Sequence, residues 1–205
     1  LGFQGENMKN KYWNKLTLFI VLGMALLSSC GMQSIPMAKN DVEAKWAEVQ
    51  NQYKRRMDLI PNLVNTVKGY AAHEEKTLVE VMEARASASK ITIDPTKLDP
   101  NEMQKYIQSQ GAISAALGKL MVVSENYPNL KADANFRDLQ AQLEGTENRI
   151  TVARNRYIES IQQFNNLVTV PPTSWYNSLF LKLEKFPQFQ VENPQKAQEA
   201  PEVKF

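Results

Sequence analysis

A chain with one cysteine and one histidine has few routes to covalent or metal chemistry. Cys30 closes the run Leu27-Ser28-Ser29-Cys30, which has the pattern of a lipobox, the site where a signal peptidase cuts before a cysteine carrying diacylglycerol. Lys9, Lys11 and Lys15 precede an uncharged stretch from Leu16 to Leu27. A basic segment followed by about a dozen apolar residues has signal-peptide proportions. A membrane-spanning helix needs roughly 20, so this run is short for a span, though extension through Ile35 would make a marginal one. The expectation is cleavage before Cys30 and anchoring in membrane lipid through an acylated Cys30, several acyl chains giving the combined signal that stable anchoring needs. A single cysteine forms no internal disulfide.

His73 would have to serve any histidine-based triad, and a zinc site would have one imidazole and no second cysteine. Tyr70 stands three residues before it, so the Glu-x-x-His pair of di-iron bundles is absent. A turn or capping role for His73-Glu74 is preferred to catalysis. With no Gly-rich phosphate loop, Gly-x-Ser-x-Gly elbow or Cys-x-x-Cys, no catalytic, metal or cofactor residue is assigned and no enzyme activity is expected.

Charge supplies the remaining candidates. Arg56 lies seven residues after Val49, on the side of an apolar stripe, and Glu147 interrupts a second stripe far along the chain. Arg55 or Arg56 is expected to pair with Glu147, and Asn62 with Asn148, because polar groups at a buried face need partners and can fix register. A catalytic carboxylate pair is the sharper but weaker alternative. Asp58 and Asn62 flank Pro61, while Arg149 stands beside Asn148. The triplet Lys54-Arg55-Arg56 could suit anionic lipid, but helical neighbours point in different directions, so a solvated or paired face is the reading taken.

Long helices must position these residues. Val42, Trp46, Val49, Tyr53, Met57, Ile60, Leu63, Val64, Val67 and Tyr70 recur in steps of three and four, marking an amphipathic helix from about Asp41. Pro61 lies inside it, removing a backbone donor and crowding the carbonyl of Met57, which predicts a kink. A second helix is expected over about 74–89, with Leu78, Val81 and Met82 inward and Glu80, Glu83 and Arg85 outward. Asp94 to Pro100 forms a loop with two X-Pro breaks. A third helix begins near Pro100, with Met103, Ile107, Ile113, Leu117 and Leu120 inward. A fourth spans about 132–168, through Phe136, Leu139, Leu143, Ile150, Ala153, Tyr157, Ile161, Phe164 and Val168, until Pro171-Pro172 ends it. The fold class expected is all-α, an elongated antiparallel helical bundle with two very long helices.

At the ends, residues 1–7 resemble a tag scar before a natural start at Met8, 8–29 the signal peptide, and 30–40 a lipidated polar tether; 41–189 form the bundle and 190–205 a disordered tail. Trp175, Tyr176, Leu179, Phe180, Leu183, Phe186 and Phe189 suggest a cap folded over the bundle end, packing being preferred to a membrane- or partner-contacting patch. Residues 1–29 hold three lysines and one glutamate, so the remainder balances basic against acidic residues and nucleic-acid binding loses its electrostatic support.

Three motifs are specific beyond their periodicity. They are Gln52-Tyr53-Lys54-Arg55-Arg56-Met57-Asp58-Leu59-Ile60-Pro61-Asn62-Leu63-Val64 continuing to His73-Glu74; Glu125-Asn126-Tyr127-Pro128-Asn129-Leu130-Lys131-Ala132 with Asn135-Phe136; and Leu139-Gln140 through Thr146-Glu147-Asn148-Arg149-Ile150 to Tyr157. In this order they resemble the LemA family across most of residues 41–189. The resemblance implies an all-α antiparallel bundle behind an N-terminal membrane anchor and no established enzymatic activity. Many members look like single-pass membrane proteins, whereas a lipobox stands here. The functional expectation is a non-enzymatic scaffold or adaptor of the bacterial envelope facing the periplasm or exterior, meeting a protein partner or a second copy along the long helices. The alternative is a lipid- or hydrophobe-binding transport component in which the aromatic cap and the kinked helix line a groove, an enclosed apolar cavity being the feature that would discriminate the two. Arg55, Arg56, Asp58, Asn62, His73, Glu74, Glu125, Asn126, Glu147, Asn148 and Arg149 are the structural or interaction candidates.

Overall fold

The computed structural model describes Thr17 and residues 33–93 and 99–187. Among them there is no β-strand. The helices are α1 (Ser34–Tyr70), α2 (Glu75–Ser89), α3 (Pro100–Ser124), α4 (Pro128–Ala132), α5 (Ala134–Thr169) and α6 (Thr173–Tyr176), followed by a π-helical turn over Asn177–Leu181. At ~1.5 Å per residue, α1 and α5 each rise about 55 Å. The signal segment, the tether before Gln33, the 94–98 loop and the 190–205 tail lie outside the described residues, Thr17 apart. Among the described residues no helix is long and apolar enough to cross a membrane.

The chain divides into two compact units. The larger contains the described part of Lys45–Gln162, with Phe186 and Pro187. Its helices alternate in direction: Trp46 meets Tyr157 while Arg56 meets Glu147 between α1 and α5, and Glu80 meets Lys119 while Glu74 meets Tyr127 at α2 and the α3 end. Ile60, Leu63 and Val67 of α1, Leu78 and Val81 of α2, Ile113, Leu117 and Leu120 of α3, Leu130 of α4, and Phe136 and Leu143 of α5 form one continuous core. The expected stripe therefore exists, and each helix faces the others along the side its three-four spacing marked.

Several positions differ. Helix α1 begins at Ser34, so residues 34–40 are helix rather than polar tether. Ile35 extends the stripe one step back and is fully buried, and Pro36 falls in the first turn, where its missing N–H is harmless. Tyr70 is exposed, and Ala71 takes the inward place at the helix end. In α3 the inward residue is Tyr106, with Ile107 half-buried beside it. Met82 is exposed, and the supposedly outward Arg85 turns inward to donate its Nε–H to the carbonyl of Met57 at 2.9 Å. That carbonyl is the one Pro61 deprives of its helical partner. Asp133 separates α4 from α5 and caps α5 by accepting the Phe136 N–H at 2.9 Å, which, with the Tyr70 hydroxyl at 2.9 Å, holds its carboxyl below the usual range.

The smaller unit joins residues 33–44 to Gln163–Lys185. Ile35 and Val42 of α1 and Phe164 and Val168 of α5 are buried in it. Asn177 is also buried and braces the turn that follows: its amide donates to the Leu183 carbonyl at 2.9 Å and accepts the Leu183 N–H at 3.0 Å. Lys182 closes the π turn with φ 51°, its N–H reaching the Asn177 carbonyl at 2.7 Å. The expected packed aromatic cap does not form: Trp175, Leu179 and Phe180 are 65%, 72% and 70% exposed.

Candidate functional site: a buried arginine centre beside an open groove

Arg56 occupies a core position on α1, one turn after Tyr53 and one before Ile60, and its side chain is 2% exposed. A guanidinium has five N–H donors and cannot lose its charge, so burial requires acceptors on several sides. They come from two other helices. Nη1 donates to Ser114 Oγ at 2.7 Å on α3 and to Glu147 Oε1 at 2.6 Å on α5. Nη2 donates to the Gln110 carbonyl at 3.0 Å and to Gln110 Oε1 at 2.6 Å. The guanidinium also lies over the Tyr53 ring, 5.2 Å from its centroid. Within this centre Arg56 Nε and Gln110 Nε2 are buried with no hydrogen-bond partner among the described residues.

The pair with Glu147 is asymmetric. Glu147 keeps 44% of its side chain exposed, whereas Thr146 beside it fills the core position and is fully buried. The apolar stripe of α5 is thus completed by a threonine, its hydroxyl satisfied by the Gln142 carbonyl at 2.7 Å. Glu147 stands at the margin and reaches in. One charge is desolvated and the other stays wet, which lowers the burial penalty while preserving a directional link between α1 and α5.

Aromatic rings continue the centre along the core. Tyr53 meets Tyr106 edge-on at 5.6 Å, Tyr106 meets Trp46 at 5.8 Å, and Trp46 meets Tyr157 at 5.1 Å. Burial pushes the Tyr53, Tyr106 and Tyr157 phenols up, Tyr106 to about 12, despite the opposing field of Arg56 at Tyr53 and Tyr106. The phenols stay neutral throughout the physiological range.

Besides a groove of about 330 Å³ beside Met57, Asp58 and Arg85, two open grooves border this unit's helices. One, of about 590 Å³, lies between α3 and α5 and is lined by Ser114, Leu117, Met121, Gln140, Leu143 and Glu147, so the arginine centre's own partners form part of its wall. The other, of about 700 Å³, runs beside α1 and α2, with Val64, Leu78, Val79 and Met82 against Lys68 and Glu75.

The remaining candidates scatter. Arg55, Asp58 and Asn62 are exposed on α1. Asn148 is exposed and lines the first groove, and no hydrogen bond joins it to Asn62, so the second expected pair does not form. Arg149 is exposed and donates to Thr146 Oγ1 at 3.0 Å. His73 is exposed in the turn between α1 and α2, and Glu74 there accepts the Tyr127 hydroxyl at 3.1 Å. Glu125 and Asn126 are exposed at the α3–α4 turn, Glu125 pairing with Lys131. Among the described residues no three His, Cys, Asp or Glu side chains converge as a metal site would need. The sequence reading missed Gln110 and Ser114. Both are polar residues four apart on α3, and Gln110 stands on the inward side between Tyr106 and Ile113, which was the available signal.

The "Protein LemA" of Metamycoplasma hominis is 24% identical over 177 residues, covering 86% of this chain and 76% of that protein. The family model described as "LemA family" matches residues 45–205, a span that holds most of α1, all of α2 to α6, the arginine centre and both grooves. This chain belongs to the LemA family.

Proposed function

We propose that the chain is an envelope protein anchored through acylated Cys30, whose helical bundle acts as a non-enzymatic scaffold or adaptor. The observation that carries this reading is the arrangement of the buried polar centre. Four of the five Arg56 donors are used by Ser114, Gln110 and Glu147, a pattern suited to fixing helix register rather than to turning over a substrate. The groove next to it is open and walled by two helices, which fits the apolar face of a partner helix. An enclosed apolar cavity would favour the transport alternative, and the described grooves are open to solvent.

Crosslinking in cells tests the proposal. A photoreactive residue at Gln140 or Glu144, on the groove wall, is expected to give one discrete protein adduct in the membrane fraction, absent from a probe at the exposed Glu159. Lipid adducts alone from both groove positions would overturn the scaffold reading.

A further inference from the structure

The exposed apolar side chains of the smaller unit have no role in the bundle. Val170, Trp175, Leu179 and Phe180 follow one another within eleven residues and are all more than half exposed. The turn that carries them is held in shape. Trp175 and Leu179 stand four residues apart, Tyr176 leans on Phe180 with ring centroids 5.0 Å apart, and Asn177 pins the turn to Leu183 from inside. Lys182 and Lys185 flank it, opposed by the single Glu184. An ordered tryptophan, phenylalanine and leucine rimmed by lysine is the side-chain set that partitions into the headgroup boundary of a bilayer.

We propose that this turn docks on the lipid surface next to the anchor. The inference rests on the anchoring reading above. Cys30 precedes Ser34, the first residue of α1, by four positions, and an extended chain covers at most about 3.5 Å per residue. The start of α1 then lies within about 14 Å of an acylated Cys30. The start of α1 and the aromatic turn belong to the same compact unit, and a body of some 35 residues has a radius on the order of 10 Å. The tether therefore keeps the turn within reach of the membrane, and the lysines suit anionic headgroups there.

Tryptophan emission from the full chain tests the docking. The protein is reconstituted in vesicles of phosphatidylethanolamine with a minority of phosphatidylglycerol, with plain or brominated acyl chains. Trp175→Phe is measured in parallel, and the difference isolates Trp175 from Trp46 and, in any unprocessed chain, from Trp13. Because Trp175 is largely exposed, Trp175→Phe should leave helicity unchanged, which circular dichroism verifies. The expected result is Trp175 emission shifted to the blue and losing most of its intensity in the brominated vesicles. Blue-shifted emission indifferent to bromine would mean that a second copy, or the segment after Phe186, covers the turn, and would overturn the proposal. Red, unquenched emission would place Trp175 in water and overturn it equally. Fractionation of the producing cells separates the two readings. A chain found with membranes but unquenched loses the docking alone, and a chain found in the soluble fraction loses the anchor and the docking together.

Discussion

Arg56 is the residue on which the larger unit depends most. Replacing it with methionine keeps the volume but leaves Gln110 Oε1 and its carbonyl facing a thioether in the core. Arg56→Met is expected to cost about 3 kcal/mol in chemical denaturation. Glu147→Gln, at the wet side of the pair, should cost about 1 kcal/mol and less at high salt. Equal losses for the two would contradict the asymmetry. The tyrosines make a second prediction at this scale. Tyr106 ionises near 10 when unfolded and about 12 when folded, so its contribution is complete below pH 10 and is lost as pH rises through 12. Tyr106→Phe should flatten the fall in melting temperature over that alkaline window. The Arg56–Glu147 link was legible because both residues sit on or beside apolar stripes, where a charge demands an answer. Gln110 and Ser114 were harder to read because neutral polar residues are tolerated on either face of a helix.

At the scale of elements, the three-four rhythm located every long helix, since burial of one continuous face outweighs local propensity. The rhythm could not supply ends. The start of α1 at Ser34 and the inward choice of Tyr106 over Ile107 are decided by what packs opposite, which no single helix records. Pro61 shows how an irregularity inside one element is answered by another. It leaves the Met57 carbonyl without a helical donor, and Arg85 of α2 supplies one at 2.9 Å. Arg85→Ala should therefore cost about 1–2 kcal/mol in the native background. In a Pro61→Ala background, where residue 61 regains an N–H, the loss should shrink, giving a coupling of about 1 kcal/mol in a double-mutant cycle. Additive effects would mean that the two residues act independently. The exposed Trp175, Leu179 and Phe180 mark the opposite failure: aromatic residues are normally read as core, and only the folded turn shows that nothing of the described chain covers them.

For the whole molecule, a LemA-family bundle with a buried arginine centre and open grooves accounts for stability and for surfaces but names no reaction. Its proposed role depends on where the chain is held, and that depends on Cys30. The mass of the N-terminal peptide, from protein extracted out of the membranes of the organism that makes it, tests this most directly. The peptide is expected to begin at Cys30, its sulfur carrying diacylglycerol. A peptide reading through Ser29 into an unmodified Cys30 thiol would contradict it.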